Sequence, residues 1–245
     1  MWRAIADAYR RTQKPKDIFW NKYVARPAAA VLLVPLERSV VTPNQVTFAS
    51  LAVFAGAIPL LIAMPGHLGL LLAALVIELS YVLDCVDGQL ARMRGASTPV
   101  GAYLDFLMDE LKAFLLVAAM GVRLWQVHQD TGWLLEGLAG LVAVASANAL
   151  TTFIRRPEYV GDGPRPVSAG DYGQGFVQAP ATPRRGPVQL VEGLAKFLMH
   201  YPSYIVYVAI FDRLDLFLHV YVALNALHAA RSGLAILRKL GRRAK

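Results

Sequence analysis

The stretch 84–109, DCVDGQLARMRGASTPVGAYLDFLMD, decides how the rest of the chain is read. It sets Asp84, Asp87, Asp105 and Asp109 inside or beside two strongly apolar segments, where an ionised side chain is costly unless a partner compensates it. With helical flanks, Asp84 and Asp87 stand three residues apart and Asp105 and Asp109 four, so each pair points to one helical face. Two such faces brought together form an oxygen-only site, which suits hard cations such as Mg²⁺ or Mn²⁺ rather than zinc. Cys85 is the single cysteine of the chain and has no second thiol to ligate with. Between the acid pairs, Gly88 and Ala91 let a ligand approach the backbone closely, and Arg92 offers a fixed cation to a phosphate oxygen. The run Gly95-Ala96-Ser97-Thr98-Pro99 then ends the first helix. Carboxylates, a metal and an arginine together point to a diphosphate ligand. The bland reading of the same acids is helix capping or salt bridges with nearby arginines; for Gly88, Ala91 and Gly101 it is close helix packing, and for Thr98 a turn before Pro99.

Composition agrees with membrane placement. Of 245 residues, 56% are hydrophobic and 17% charged, which is apolar for a soluble protein. The net charge of +8 flanks apolar segments, which argues for a membrane partner over nucleic acid. The N-terminus, MWRAIADAYRRTQKPKD, lacks the apolar core of a cleavable signal peptide. No internal repeat is visible.

The expected fold is an all-α integral membrane protein of six transmembrane helices with an N-terminal interfacial amphipathic helix. Residues 1–40 form the juxtamembrane segment, basic and aromatic, with cations reaching toward anionic headgroups. Residues 41–240 form the transmembrane domain, and 241–245 a basic tail. Spans are expected at 46–64, 68–86, 100–122, 133–154, 190–211 (interrupted by Pro202) and 214–237, with a polar, Gly- and Pro-rich flexible loop at 157–187. Thr42 is placed to cap the first span, with Pro43 at its first position. If the second and third spans are antiparallel, both acid pairs lie at the same membrane face.

Loop charges set the orientation. With the N-terminus inside, nearly all arginines and lysines, including the basic tail, fall on inner segments, while the outer loops carry Arg123 and Arg213. Both termini and the acid pairs then face the cytosol.

Asp84, Asp87, Gly88, Ala91, Arg92, Gly101, Asp105 and Asp109 reproduce, with the same gaps, the signature of the CDP-alcohol phosphotransferase family, which this chain resembles. The resemblance implies an integral membrane enzyme that moves a substituted phosphoryl group from a CDP-alcohol to a hydroxyl acceptor and releases CMP. It implies that Asp84, Asp87 and Asp105 hold one or two divalent ions on the diphosphate, and that Asp109 is the general base, perhaps also touching a metal. Asn44 and Thr47, in Pro43-Asn44-x-x-Thr47, resemble the element whose polar side chains help hold the cytidine nucleotide; Gly88, Ala91, Arg92 and Thr98 match positions that, in one branch of the family, contact the CDP moiety or its phosphates. A homodimer is implied as well.

The leading reading is Mg²⁺- or Mn²⁺-dependent transfer of a phosphatidyl group from CDP-diacylglycerol to a small polar alcohol. Alternatives are headgroup transfer from a soluble CDP-alcohol to a lipid or polyol acceptor, and, in another class, a cation transporter or scaffold. Arg155, Arg156, Lys196 and Arg231 are candidates for binding an anionic acceptor. Lys112 is placed to pair with Asp109 or Glu78, and the five histidines are assigned interfacial or packing roles.

Overall fold

The computed structural model describes residues 1–14, 17–154 and 200–243, together with Arg156, Tyr159, Leu194, Phe197 and Leu198. Among the described residues all regular structure is helical. The elements are α1 (Trp2–Arg11), α2 (Arg26–Leu36), α3 (Pro43–Ala63), α4 (His67–Met93), α5 (Pro99–His128), α6 (Gly132–Ile154), α7 (Ile205–Ile210) and α8 (Leu214–Arg243). A π-helical turn, Asn21–Ala25, leads into α2, and a 3₁₀ turn, Tyr201–Ser203, carries Pro202 just before α7.

Local chemistry accounts for the helix ends that matter to the site. Thr42 and Gln45 form a reciprocal capping box: Thr42 Oγ1 accepts from the Gln45 amide at 3.3 Å, and Gln45 Oε1 accepts from the Thr42 amide at 2.9 Å. Helix α4 stops in a Schellman-type end, where Gly95 adopts φ +62° and the Ala96 amide donates back to the Ala91 carbonyl at 2.8 Å. Thr98 Oγ1 then caps α5 by accepting from the Gly101 amide at 3.0 Å.

Short connections make α3–α4, α4–α5 and α5–α6 antiparallel neighbours. Helix α4 packs on α3 and α2, α5 joins α3 to α6, and α8 lies against α6. The main core runs through Phe54, Leu61, Leu70, Ile77, Leu116, Met120, Phe217 and Leu218. Gly121 on α5 and Gly137 on α6 let their backbones touch: a Cβ on Gly121 would lie 2.9 Å from Gly137 Cα. Ser50 and Ser80 donate to each other's carbonyl oxygens at 3.0 and 2.8 Å, linking α3 to α4. A smaller cluster of Ala8, Ala29, Leu33, Val46, Val86 and Leu90 seats α1 and α2 on the end of the α3–α4 pair nearest the acids.

Four helices, α3, α4, α6 and α8, are long and apolar enough to cross a membrane. The outward row Leu68, Leu72, Leu75 and Leu79 on α4 is exposed, the reverse of a soluble amphipathic helix and the pattern of a lipid-facing one. Helix α5 is equally long but carries Asp105, Asp109, Glu110, Lys112 and Arg123. Arg123, expected in an outer loop, is instead inside α5 and 3% exposed, donating to the carbonyl oxygens of Leu61, Met64, Pro65 and Gly66 and so closing the C-terminal end of α3. The expected loop at 157–187 lies outside the described residues except for Tyr159, as does most of the first half of the expected fifth span.

Candidate functional site

The α4–α5 hairpin brings the two acid pairs to one end of the bundle. One oxygen each from Asp84, Asp105 and Asp109 lies within 4.8 Å of the others. Asp105 Oδ1 is buried without a hydrogen-bond partner, so the cluster holds an acceptor that the protein itself does not satisfy. Asp87 stands slightly apart; it is 5% exposed, and its Oδ2 accepts a 2.5 Å hydrogen bond from Thr47. Lys112 Nζ, one turn beyond Asp109, donates to Asp84 Oδ1 and, at 3.2 Å, to Asp109 Oδ1. Glu78, the other partner considered for Lys112, instead accepts from Trp20 Nε1 at 3.3 Å. A set of carboxylate oxygens with one orphaned member fits a hard divalent cation.

These acids border a cavity of about 300 Å³. Lys14, Arg26 and Arg92 line it on the side facing α1 and α2, with Gly88 between them and the acids. Arg92 Nε and Arg26 Nη1 converge on the buried carbonyl of Thr12, at 3.1 and 3.3 Å. Arg26 also forms an ion pair with Asp17, both side chains 6% exposed. Burial, with the Arg92 and Arg26 charges beside it, lowers the pKa of Lys14. The segment before α2 thus closes over the acid end of the hairpin and supplies part of the site.

A hydrogen-bonded relay lines the wall beside α7. Tyr81 donates to Asn21 Oδ1 at 2.5 Å, so His200 Nε2, 2.7 Å from the same hydroxyl, must be its donor. His200 Nδ1 then accepts from Ser203 Oγ at 2.6 Å, which assigns the neutral ring its Nε2–H tautomer. The remaining wall comes from Asn148 and Thr151 on α6 and from Tyr221, Asn225 and His228 on α8. Thr151 Oγ1 and His228 Nε2 are 3.1 Å apart.

The other residues singled out from the sequence are distributed differently. Asn44, Thr47, Ala91 and Thr98 do not line the cavity among the described residues. Thr47 reaches it through Asp87, and Asn44 sits beside Thr98, since a Cβ at Gly101 would lie 3.2 Å from Thr98 Oγ1 and 3.5 Å from Asn44 Oδ1. Arg156 is exposed and lines a separate recess with Glu110 and Asn148. Arg231 is exposed on α8, next to His228 in charge terms. Arg155 and Lys196 lie outside the described residues.

Sequence reasoning missed Lys14, Asp17, Asn21 and Arg26, which it assigned to the interface, and His200 and His228, which it assigned to packing or interfacial positions. One local signal was available. Asn148 and Thr151 interrupt an otherwise apolar helix three residues apart, and Tyr221, Asn225 and His228 follow spacings of four and three, so each set marks one polar helical face.

An apolar helical bundle with a carboxylate cluster and arginines around one cavity defines a membrane-embedded enzyme class that handles phosphate esters with a divalent ion. Residues 40–164, just over half of the chain, match the family model for CDP-alcohol phosphatidyltransferase, and the chain belongs to that family. Its relatives include the phosphatidylinositol phosphate synthase of Corynebacterium glutamicum, 31% identical over 140 residues that cover 56% of this chain and 62% of the relative. The archaetidylinositol phosphate synthase of Aeropyrum pernix is 35% identical over 98 residues, 40% of this chain and 48% of that protein. The bifunctional IPC transferase and DIPP synthase of Aquifex aeolicus is 29% identical over 104 residues, 42% of this chain and 23% of that protein. The chain therefore spans less than two thirds of the length of each of these relatives.

Proposed function

We propose that this protein transfers a phosphatidyl group from CDP-diacylglycerol to the hydroxyl of a small polar alcohol, with release of CMP. The observation that carries the reading is the orphaned Asp105 oxygen in a carboxylate cluster that shares one cavity with Arg26, Arg92 and Lys14. Asp84, Asp105 and Asp109, with Asp87 behind them, would hold Mg²⁺ or Mn²⁺; the bound ion would neutralise the donor diphosphate and stabilise the departing CMP.

The side chain of Asp109 is 43% exposed against 13% for Asp84, so Asp109 is the acid best able to meet an incoming hydroxyl. In this role it takes the hydroxyl proton as the acceptor oxygen bonds to the lipid-bearing phosphorus and the bond from that phosphorus to CMP breaks. Arg92, anchored on Thr12, is held to meet a phosphate oxygen of the donor. Thr47 holds Asp87, while Gly88 leaves room beside the Arg92 guanidinium. Asn44, Ala91 and Thr98 serve the nucleotide end indirectly, by shaping the neighbouring helix termini.

Neutral polar groups on α6 and α8 suit the hydroxyls of a polyol, and the exposed Arg156 and Arg231 suit a phosphate on it. Two relatives carry inositol phosphate in their names, which makes inositol 1-phosphate the first acceptor to try. We further propose six spans with an N-terminal interfacial helix, the domain limits expected from the sequence, a cytosolic active site and a homodimer. The basic inner segments and the outward leucines of α4 support this placement.

The test is CMP release from purified protein given CDP-diacylglycerol, Mg²⁺ and, in separate reactions, glycerol 3-phosphate, serine, inositol or inositol 1-phosphate. Release that depends on one acceptor establishes the reaction and its product. Silence with every acceptor from folded protein, answered by release from CDP-choline, CDP-ethanolamine or CDP-inositol, would reverse the lipid's role from donor to acceptor. Cation flux without CMP production would replace the enzyme reading by a transporter.

A further inference from the structure

We infer that Lys112 stands where a second metal ion would bind, so that the carboxylate cluster of this chain takes a single divalent cation. The inference rests on the metal-dependent reading given above.

Two-ion phosphoryl-transfer sites hold their ions about 3.5–4 Å apart and need carboxylates that bridge them. Here the carboxylates that could bridge from α4 to α5 are Asp84 and Asp109, and each already gives its Oδ1 to the Lys112 ammonium. Asp87, the fourth acid, has its Oδ2 occupied by Thr47. What remains is one oxygen set from Asp84, Asp105 and Asp109, within 4.8 Å and including the orphaned Asp105 Oδ1, which is sufficient for one ion. A second divalent ion on the same Asp84 and Asp109 oxygens would sit within hydrogen-bonding range of a fixed positive charge. That repulsion is strong where water is excluded.

Lys112 is not free to step aside. It is 2% exposed, among the largest fully buried side chains, and sits next to the core residues Ala113 and Leu116. Withdrawing its ammonium from Asp84 and Asp109 would leave it in an apolar core without a partner. The lysine therefore supplies permanently, from the protein, one of the cationic positions that a second ion would fill. Arg26, Arg92 and Lys14 provide further positive charge along the same cavity.

The test counts metal directly. Full-length protein in lipid nanodiscs is stripped with EDTA, loaded with Mn²⁺ and desalted; the metal is quantified by elemental analysis and its spin environment read by electron paramagnetic resonance. The expected result is one Mn²⁺ per chain with the spectrum of an isolated ion, rising to two magnetically coupled ions in Lys112→Ser. Two ions in the wild-type protein overturn the inference alone, whether or not the variant folds. A folded Lys112→Ser protein that still binds one ion also overturns it. No bound Mn²⁺ in the wild type overturns the metal reading itself, and this inference with it.

Discussion

Arg26 and Arg92 meet on one atom, the carbonyl oxygen of Thr12, which Arg26 approaches to 3.3 Å and Arg92 to 3.1 Å. Thr12 is fully buried, so this oxygen has no access to water and both guanidinium groups are held by the segment that closes over the acids. Arg26 in turn neutralises Asp17. Replacing Arg26 by Met leaves Asp17 charged in a dry site, with an expected loss of about 3 kcal/mol of stability. Thermal unfolding in detergent measures it. The double variant Arg26→Met, Asp17→Asn is expected to recover most of that loss, because the uncompensated charge is gone.

Arg92→Lys keeps the charge but not the planar fork that can hold Thr12 and face the cavity together. The expected outcome is at least about a tenfold rise in KM for the CDP-linked donor, worth roughly 1.4 kcal/mol, with a smaller effect on the acceptor KM. An unchanged donor KM would remove Arg92 from donor binding.

Asp109→Asn retains a side chain of nearly the same shape but cannot take a proton. Donor binding is expected to persist while kcat falls by roughly 10²–10⁴-fold, the range typical of a lost general base. Normal turnover would exclude Asp109 from that role. EDTA is expected to abolish CMP release in the wild type, and added Mg²⁺ or Mn²⁺ to restore it.

Thr47→Val removes the hydroxyl that Asp87 accepts from and leaves a buried carboxylate oxygen short of a partner, at a cost of about 1–3 kcal/mol. Thr47→Ser restores the donor and is expected to behave like the wild type in both thermal stability and metal affinity. Equal behaviour of the Val and Ser variants would show that the hydroxyl does not support Asp87.

Gly121→Val forces α5 away from α6, since even a Cβ there would lie 2.9 Å from Gly137 Cα and 3.1 Å from the Trp133 carbonyl oxygen. The expected loss is roughly 1–3 kcal/mol or more, because backbone rather than a flexible side chain must move. Gly56→Ala is the matched control: nothing lies within 4 Å of its added Cβ, so thermal stability should be unchanged or slightly higher.

The sequence by itself determined what depends on neighbours a few residues apart. The Thr42–Gln45 capping box, the end of α4 at Gly95 and the pairing of acids on one helical face all follow from spacings that a single helix enforces. Helices begin or end close to the expected span limits for α3, α5 and α6 for the same reason, while α4 runs on past Val86 to Met93 and so contains its acid pair. The eight-residue signature also made the family legible before any coordinates, because its gaps are those of two facing helices.

Only the tertiary structure decided what lies far apart in the chain. It turned Lys112 toward Asp84, 28 residues away, rather than Glu78, and drew Arg123 into α5 to close the end of α3. It folded Lys14, Asp17, Asn21 and Arg26 over the acids, and it brought His200 and His228 to the same cavity. No local period encodes these contacts. A buried charge settles on whichever partner the packed backbone brings within reach, and a wall of polar side chains becomes a site only when several helices converge on one space.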